Sequence, residues 1–274
     1  MKLSMMSYTL ARLPEFGVQK MFALSADLKL DGLDMVTLYD QKPADIKKMS
    51  EDYGVPLVAY TFFARGLAYP DEQNRQQGID DCKRGLEVAV ELGVPTVMLP
   101  PSPPKDCQDR DAARRNYIEG IKKVMPFAKQ AGIIFTVENF PGLYSPFVTS
   151  ADFLAAQAEI PDLRLTFDNG NAASGGEEVG ESFTRVAKFV EHAHFKDWYV
   201  SAQQQEGYRA MLDGKWYRSA LIGEGDIDQR STVRAMRAAG YDKYINIEYE
   251  GNNYSGEEAM RKAVGYLRNL FAEG

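Results

Sequence analysis

Four segments in the second half of this chain each finish in a side chain that can bind a cation: FTVENF (135–140), LRLTFDNGN (163–171), EHAHFKDW (191–198) and YINIEYEG (244–251). The candidates are Glu138, Asp168, His194 and Glu248. Burying a carboxylate or imidazole at the end of an apolar run is costly unless something pairs with it. Four such groups at one relative position point to a shared partner, and a divalent cation is the simplest. Three carboxylates and one imidazole make an oxygen-rich set. It suits Mn²⁺ or Mg²⁺, while Co²⁺ and Zn²⁺ would also bind; Mn²⁺ is favoured. None of these segments contains a cysteine, so a structural thiolate zinc site is not indicated.

Each residue taken singly has a plainer role. Glu138 could cap the next helix, Asp168 in DNGN could form a turn, and His194 could be a core histidine. The shared position on successive segments is what favours the metal. His192, two residues before His194, faces the same side of its strand and would lie one layer deeper in a supporting role. Glu250 shares the face of Glu248 but lies further out.

These side chains converge only if strands carry them. Apolar, β-branched or aromatic runs at about 3–9, 33–39, 55–63, 94–100, 133–139, 163–168, 190–195 and 244–249 read as strands. Helical patterns lie between them. Pro43–Tyr53 opens with proline and stops at Gly54, Glu72–Leu92 stops at Gly93, Arg110–Ala131 at Gly132 and Ile227–Ala239 at Gly240. About eight βα units in 274 residues predict a single-domain (β/α)₈ TIM barrel spanning 1–274. A doubly wound sheet is disfavoured, because Ser7-Tyr8-Thr9-Leu10 after the first strand is no glycine-rich phosphate loop. Residues 198–222, rich in Trp, Tyr and Gln, form an insertion between strands seven and eight. It leaves the active face of the barrel, as a lid or as a surface excursion with its own aromatic cluster.

The net charge of −7 weighs against nucleic acid or an anionic membrane as partner. No run approaches the length of a membrane span. Cys82 and Cys107 form no CxxC pair and Met1–Leu10 lacks a leader-like apolar run, so a cytoplasmic setting is expected. A homo-oligomer is left open.

VEN (137–139), FDNGN (167–171), HFKD (194–197), IEYEG (247–251) and GEGDID (223–228) together resemble the sugar isomerase/epimerase superfamily with xylose-isomerase-like barrels. Its members include ketose 3-epimerases, hydroxypyruvate isomerases and inosose dehydratases. The resemblance covers most of the chain. It implies Glu138, Asp168, His194 and Glu248 as ligands of one divalent metal. It also implies a small-molecule sugar or sugar derivative as substrate, with Glu138 and Glu248 moving protons on opposite faces. Ketose 3-epimerases carry a substrate-contacting histidine where this chain has Asn171, which weighs against 3-epimerisation specifically. An abasic-site endonuclease on this barrel would need several zinc-binding histidines, and the chain has two.

The expected chemistry is proton abstraction next to a carbonyl. A cation on two adjacent sugar oxygens stabilises the enediolate, and a nearby carboxylate takes the proton. Proton return gives epimerisation or isomerisation. Loss of a leaving group instead makes the protein a lyase, eliminating water or an aglycone from a keto-inositol or an oxidised (3-keto) glycoside. Lys196 is expected to bind a substrate hydroxyl or oxyanion, and Asn171, Trp198 and Tyr144 to contact substrate. Tyr8 and Phe62 also lie near strand ends, where aromatic walls suit sugar faces. Asn139 is expected to orient a ligand carboxylate.

Overall fold

Short β-branched and aromatic runs, each followed by an amphipathic segment, leave a chain few options besides parallel strands covered by helices. A computed structural model describing residues 1–273 realises that layout. The strands are β1 (Lys2–Met6), β2 (Gly32–Val36), β3 (Leu57–Thr61), β4 (Thr96–Leu99), β5 (Ile134–Glu138), β6 (Arg164–Asp168) and β7 (Val190–Phe195). Three more follow as β8 (Asp197–Ser201), β9 (Arg209–Ala210) and β10 (Trp216–Ala220), and β11 (Tyr244–Ile247) comes last. The helices are α1 (Tyr8–Ala11), α2 (Val18–Asp27), α3 (Pro43–Tyr53), α4 (Glu72–Leu92), α5 (Arg110–Ala131), α6 (Ser150–Glu159), α7 (Asn169–Ser174), α8 (Val179–Val186), α9 (Gln229–Ala238) and α10 (Gly256–Ala272). β1 to β7 and β11 close into one barrel in the order β1-β11-β7-β6-β5-β4-β3-β2, every pair parallel. The (β/α)₈ expectation holds.

The long helices bury one stripe each. In α4 the buried residues Ile79, Cys82, Leu86 and Ala89 recur at helical spacing against the barrel. Fully burying one such leucine stabilises by roughly 1.5–3 kcal/mol. Asp71 starts this helix by accepting a hydrogen bond from the Asn74 N–H, and Gly93 ends it at φ 74°, a left-handed turn that glycine adopts without strain.

Inside the barrel the strands alternate. Phe135, Val137, Leu165, Phe167, Ala193, Phe195, Ile245 and Ile247 pack in the hydrophobic core. Their neighbours Thr136, Glu138, Thr166, Asp168, His192, His194, Asn246 and Glu248 are buried polar groups. A period of two sets them on the inward face. Much of the lower layer is satisfied internally: Thr136 and Thr166 share a hydroxyl hydrogen bond at 2.7 Å, and Ser4 Oγ donates to Asn246 Oδ1 at 3.0 Å. The upper layer is where polar capacity is left over.

Residues 198–222 contain most of a three-stranded antiparallel sheet in the order β8-β10-β9. Trp198 and Tyr217 meet edge to face at 6.2 Å within its own small apolar cluster.

Candidate metal and substrate site

Glu138 and Asp168 end β5 and β6, His194 lies one residue before the end of β7, and Glu248 follows β11 directly. Parallel strands in a closed barrel bring these carboxyl ends to one mouth. One ligand atom from each lies within 4.8 Å of all the others. His194 Nδ1 is 2.9 Å from Glu138 Oε1 and 3.4 Å from Glu248 Oε2. The four sequence candidates are therefore together, all at most 4 % exposed.

Two carboxylate oxygens here lack any protein hydrogen bond, Asp168 Oδ2 and Glu248 Oε2. Asp168 is instructive. Its Oδ1 accepts the Asn171 N–H at 2.7 Å and starts α7, which leaves Oδ2 aimed at the cluster. Burial pushes the Asp168 carboxyl well above its ordinary range, more than the Lys196 charge can offset. Burial likewise raises Glu138, against the opposing pull of His194. A carboxylate held this way is short of positive charge. The donor set and its unpaired oxygens thus fit an oxygen-favouring divalent cation.

Lys196 supplies part of that charge. It is 2 % exposed, with Nζ 2.8 Å from Glu248 Oε1 and 3.9 Å from Asp168 Oδ2. Burial alone would raise Glu248, but Lys196 and His194 outweigh it and bring its carboxyl down to about 2. Burial would lower the Lys196 ammonium; Glu248 and the other nearby carboxylates raise it above its usual value. The Lys196 backbone is gripped as well. Asn169 Oδ1 accepts its N–H at 3.1 Å and Gln229 Nε2 donates to its carbonyl at 3.1 Å. A side chain at Gly170 would sit 2.8 Å from Trp198 Nε1 and 3.0 Å from the Lys196 carbonyl, so this close passage requires glycine.

The residue that sequence reading missed is Asp34. It is fully buried in β2, with Oδ2 3.4 Å from His194 Nε2 and 3.3 Å from His192 Nε2. Asn246 Nδ2 donates to the same oxygen at 3.2 Å and Thr61 Oγ1 to Oδ1 at 3.2 Å. Burial pushes this carboxyl up, yet the two imidazoles hold it far below its usual range. Asp34 faces the His194 nitrogen turned away from the cluster, which leaves Nδ1 towards Glu138 and Glu248. The missed signal was an aspartate in the centre of the buried strand GLDMV, the one charged residue of that strand.

Other expectations fall differently. Asn139 grips the main chain of Asp168 from both sides: Nδ2 donates to its carbonyl and Oδ1 accepts its N–H, both at 2.8 Å. Expecting it to orient a ligand carboxylate is corrected to fixing the backbone that carries one. His192 reaches Asp34 rather than the four-residue cluster. Trp198 is 1 % exposed, packed in the cluster under the small sheet, and so is no open wall. Phe62 is buried too, its ring filling the space beside Gly85. Tyr8, at the start of α1 just after β1, and Tyr144, in the loop after β5, are both exposed. Asn171 is fully buried with both Oδ1 and Nδ2 lacking partners. Asp197 accepts four backbone N–H groups, from Trp198, Gly223, Gly225 and Ile227, and so pins the loop beyond β10.

A closed parallel barrel that gathers three carboxylates and an imidazole at its carboxyl end defines a class of (β/α)₈ proteins. The family described as xylose isomerase-like TIM barrel matches residues 21–270, and this chain belongs to it. Inosose dehydratase of Lacticaseibacillus casei is 26% identical over 155 residues, covering 54% of this chain and 51% of that protein. The chain thus spans about half the length of the curated relatives it matches first. Among solved structures, the IolI protein with a bound zinc atom superposes with a TM-score of 0.81 at 16% identity, over 100% of this chain and 99% of that one. A 3-keto-D-glucoside 4-epimerase from E. coli gives 0.75 at 17% identity, over 98% and 99%. Among the described residues, no helix is long and apolar enough to cross a membrane.

Proposed function

We propose that this chain is a divalent-metal-dependent isomerase or epimerase that moves a proton at a carbon next to the carbonyl of a sugar or sugar derivative. The observation that carries the reading is the pair Glu138 and Glu248, two buried carboxylates from different strands that lie 2.9 and 3.4 Å from His194 Nδ1. Glu248 also meets Lys196 Nζ at 2.8 Å, whereas Glu138 meets only the His194 ring among these groups, so the two carboxylates have different partners. Two carboxylates held at one centre from different strands suit one to take a proton and the other to return it.

When bound by Glu138, Asp168, His194 and Glu248, the metal would stabilise negative charge developing on the substrate's carbonyl oxygen. Mn²⁺ is the ion we favour, with Mg²⁺, Co²⁺ and Zn²⁺ as alternatives. Glu248 then takes the proton from the carbon beside the carbonyl, leaving an enediolate. Lys196, held beside Glu248, donates a hydrogen bond to an oxygen carrying the new charge. Glu138 returns a proton, to the same carbon for epimerisation or to its neighbour for isomerisation. The unpartnered Asn171 amide binds a substrate hydroxyl, since each free donor or acceptor would otherwise remain unsatisfied.

Incubation of the Mn²⁺-loaded protein with a panel of ketoses in D₂O tests this. Deuterium should enter at a carbon adjacent to the carbonyl of at least one sugar. No incorporation across a broad panel refutes it. Elimination is the second reading, favoured by the similarity to an inosose dehydratase and by Asn171 in place of a histidine. An unsaturated product or a released aglycone would decide for it.

A further inference from the structure

The segment GEGDID (223–228) has no part in the chemistry above. It forms the loop between β10 and α9. Asp197 fixes it, accepting the N–H groups of Gly223 at 2.8 Å, Gly225 at 3.2 Å and Ile227 at 3.2 Å. The chain passes so close at Gly225 that any Cβ there would strike the Asp197 carboxylate. The loop ends at Asp228, whose side chain accepts the Ser231 N–H at 2.9 Å and starts α9. The first residue of that helix is Gln229.

Gln229 is 2 % exposed, and its amide turns back into the protein. Its Nε2 donates to the Lys196 carbonyl at 3.1 Å, and its Oε1 accepts from Asn169 Nδ2 at 2.5 Å. Asn169 Oδ1 in turn accepts the Lys196 N–H at 3.1 Å. The two amides thus close a ring of hydrogen bonds around the main chain of one residue. All three residues are buried, so bulk water cannot replace a lost partner. Lys196 also sits where other restraint is weakest. It is the single residue between β7 and β8, where the chain leaves the barrel for the small sheet, and it belongs to neither strand. Its Nζ nevertheless meets Glu248 Oε1 at 2.8 Å. A lysine side chain has much rotamer freedom to lose. Fixing its root limits where the ammonium can go.

We infer that Gln229 is a positioning residue for Lys196. With Asn169 it sets the main chain from which the ammonium reaches Glu248, and Asp197 holds the loop that presents it. Among the described residues, the side-chain hydrogen bonds of Gln229 go to Asn169 and Lys196 and to none of the four ligand residues. Its effect on the site therefore runs through Lys196. The inference rests on the role given to Lys196 above.

A double-mutant cycle read by Mn²⁺ affinity tests this without substrate. An ammonium loosened from Glu248 competes less for the oxygens that take the metal. Gln229→Met should therefore tighten Mn²⁺ binding in chelator competition, by about threefold to tenfold and by no more than Lys196→Met does. In the Lys196→Met background the same substitution should change the affinity by less than about twofold, since no ammonium is left to place. Gln229→Asn keeps an amide one methylene too short for the Lys196 carbonyl. It should show the same pattern, and it carries the test if the methionine variant does not fold. A purely structural residue would weaken binding or act equally with and without Lys196. Either result, or an unchanged affinity, overturns the proposal. Deuterium exchange on a ketose is a separate reading. A coupled cycle without exchange would keep the clamp and overturn the reaction, and exchange without coupling would do the reverse.

Discussion

Replacing Lys196 by methionine separates the two cations that these carboxylates can accept. In the metal-free protein the Lys196 ammonium sits 2.8 Å from Glu248 Oε1, both groups being nearly inaccessible. At an effective dielectric of about 20 the bare attraction at that distance is about 6 kcal/mol. Desolvation offsets part of it, and deleting one partner of a buried pair costs about 3–5 kcal/mol, because the other charge stays buried. Methionine keeps the apolar stem's packing. At roughly 2 °C per kcal/mol for a chain of this size, the metal-free Lys196→Met protein should melt about 6–10 °C below the unaltered one. The deficit should narrow at pH 5, where Glu248, freed from Lys196, can take up a proton. A divalent ion restores positive charge to the same oxygens, so saturating Mn²⁺ should remove most of the deficit. The variant should also bind Mn²⁺ about tenfold tighter or better, a gain of about 1.4 kcal/mol, having lost a competing cation. Calorimetric melts with EDTA and with Mn²⁺, plus chelator-competition titrations, supply the readings. A metal-free melting point unchanged within about 2 °C, or a deficit that persists with Mn²⁺, would show that Lys196 and the metal do not share these carboxylates.

Asp34→Asn keeps the shape of the side chain but removes the charge facing His194 Nε2. Metal affinity should fall about 10–100-fold with little change in far-ultraviolet dichroism, and unchanged affinity would remove Asp34 from any role at the site. Asn171→Ala deletes an amide with no protein partners, so the melting point should hold or rise while kcat/KM drops about tenfold or more; a large loss of stability would contradict its free amide. Metal binding should strengthen as pH rises, because Asp168 and His194 both hold protons above their ordinary ranges and must shed them to ligate. Calorimetry in buffers of different ionisation enthalpy should record net proton release near neutral pH, and uptake would be the contrary result. Glu248 titrates in the opposite sense. Its folded value of about 2 lies below the usual 4.5, so its contribution to stability is present above pH 4.5 and is lost as pH falls towards 2. Glu248→Gln should flatten the melting curve across that window, and an unaltered slope would exclude the assignment.

Much of this architecture is written locally. Pro43, Gly54, Gly93 and Gly132 mark helix ends with residues whose backbone preferences act within a few positions, and those helices begin and stop where the sequence says. The strands at 134–138 and 164–168 announce themselves by apolar side chains at every second position. That alternation also fixes which side Glu138 and Asp168 face. Membership of one cluster follows from strand count and parallel closure, both of which the repeating βα pattern implies.

What the sequence by itself determined was therefore the barrel, its order and the four strand-end groups, since each depends on periodicity and short-range sterics. The tertiary structure decided the rest. Asp34 lies more than a hundred residues from His194 in the chain, and only barrel closure sets its carboxylate against that imidazole. Asn139 lies next to Glu138, yet it holds the Asp168 backbone, because a side chain at a strand end can reach across to the neighbouring strand. Trp198 looked like a wall for substrate and is buried instead, because β8 pairs with β10 in a small sheet that has its own apolar cluster. Partners across a barrel are chosen by register and packing, and neither can be seen in local sequence.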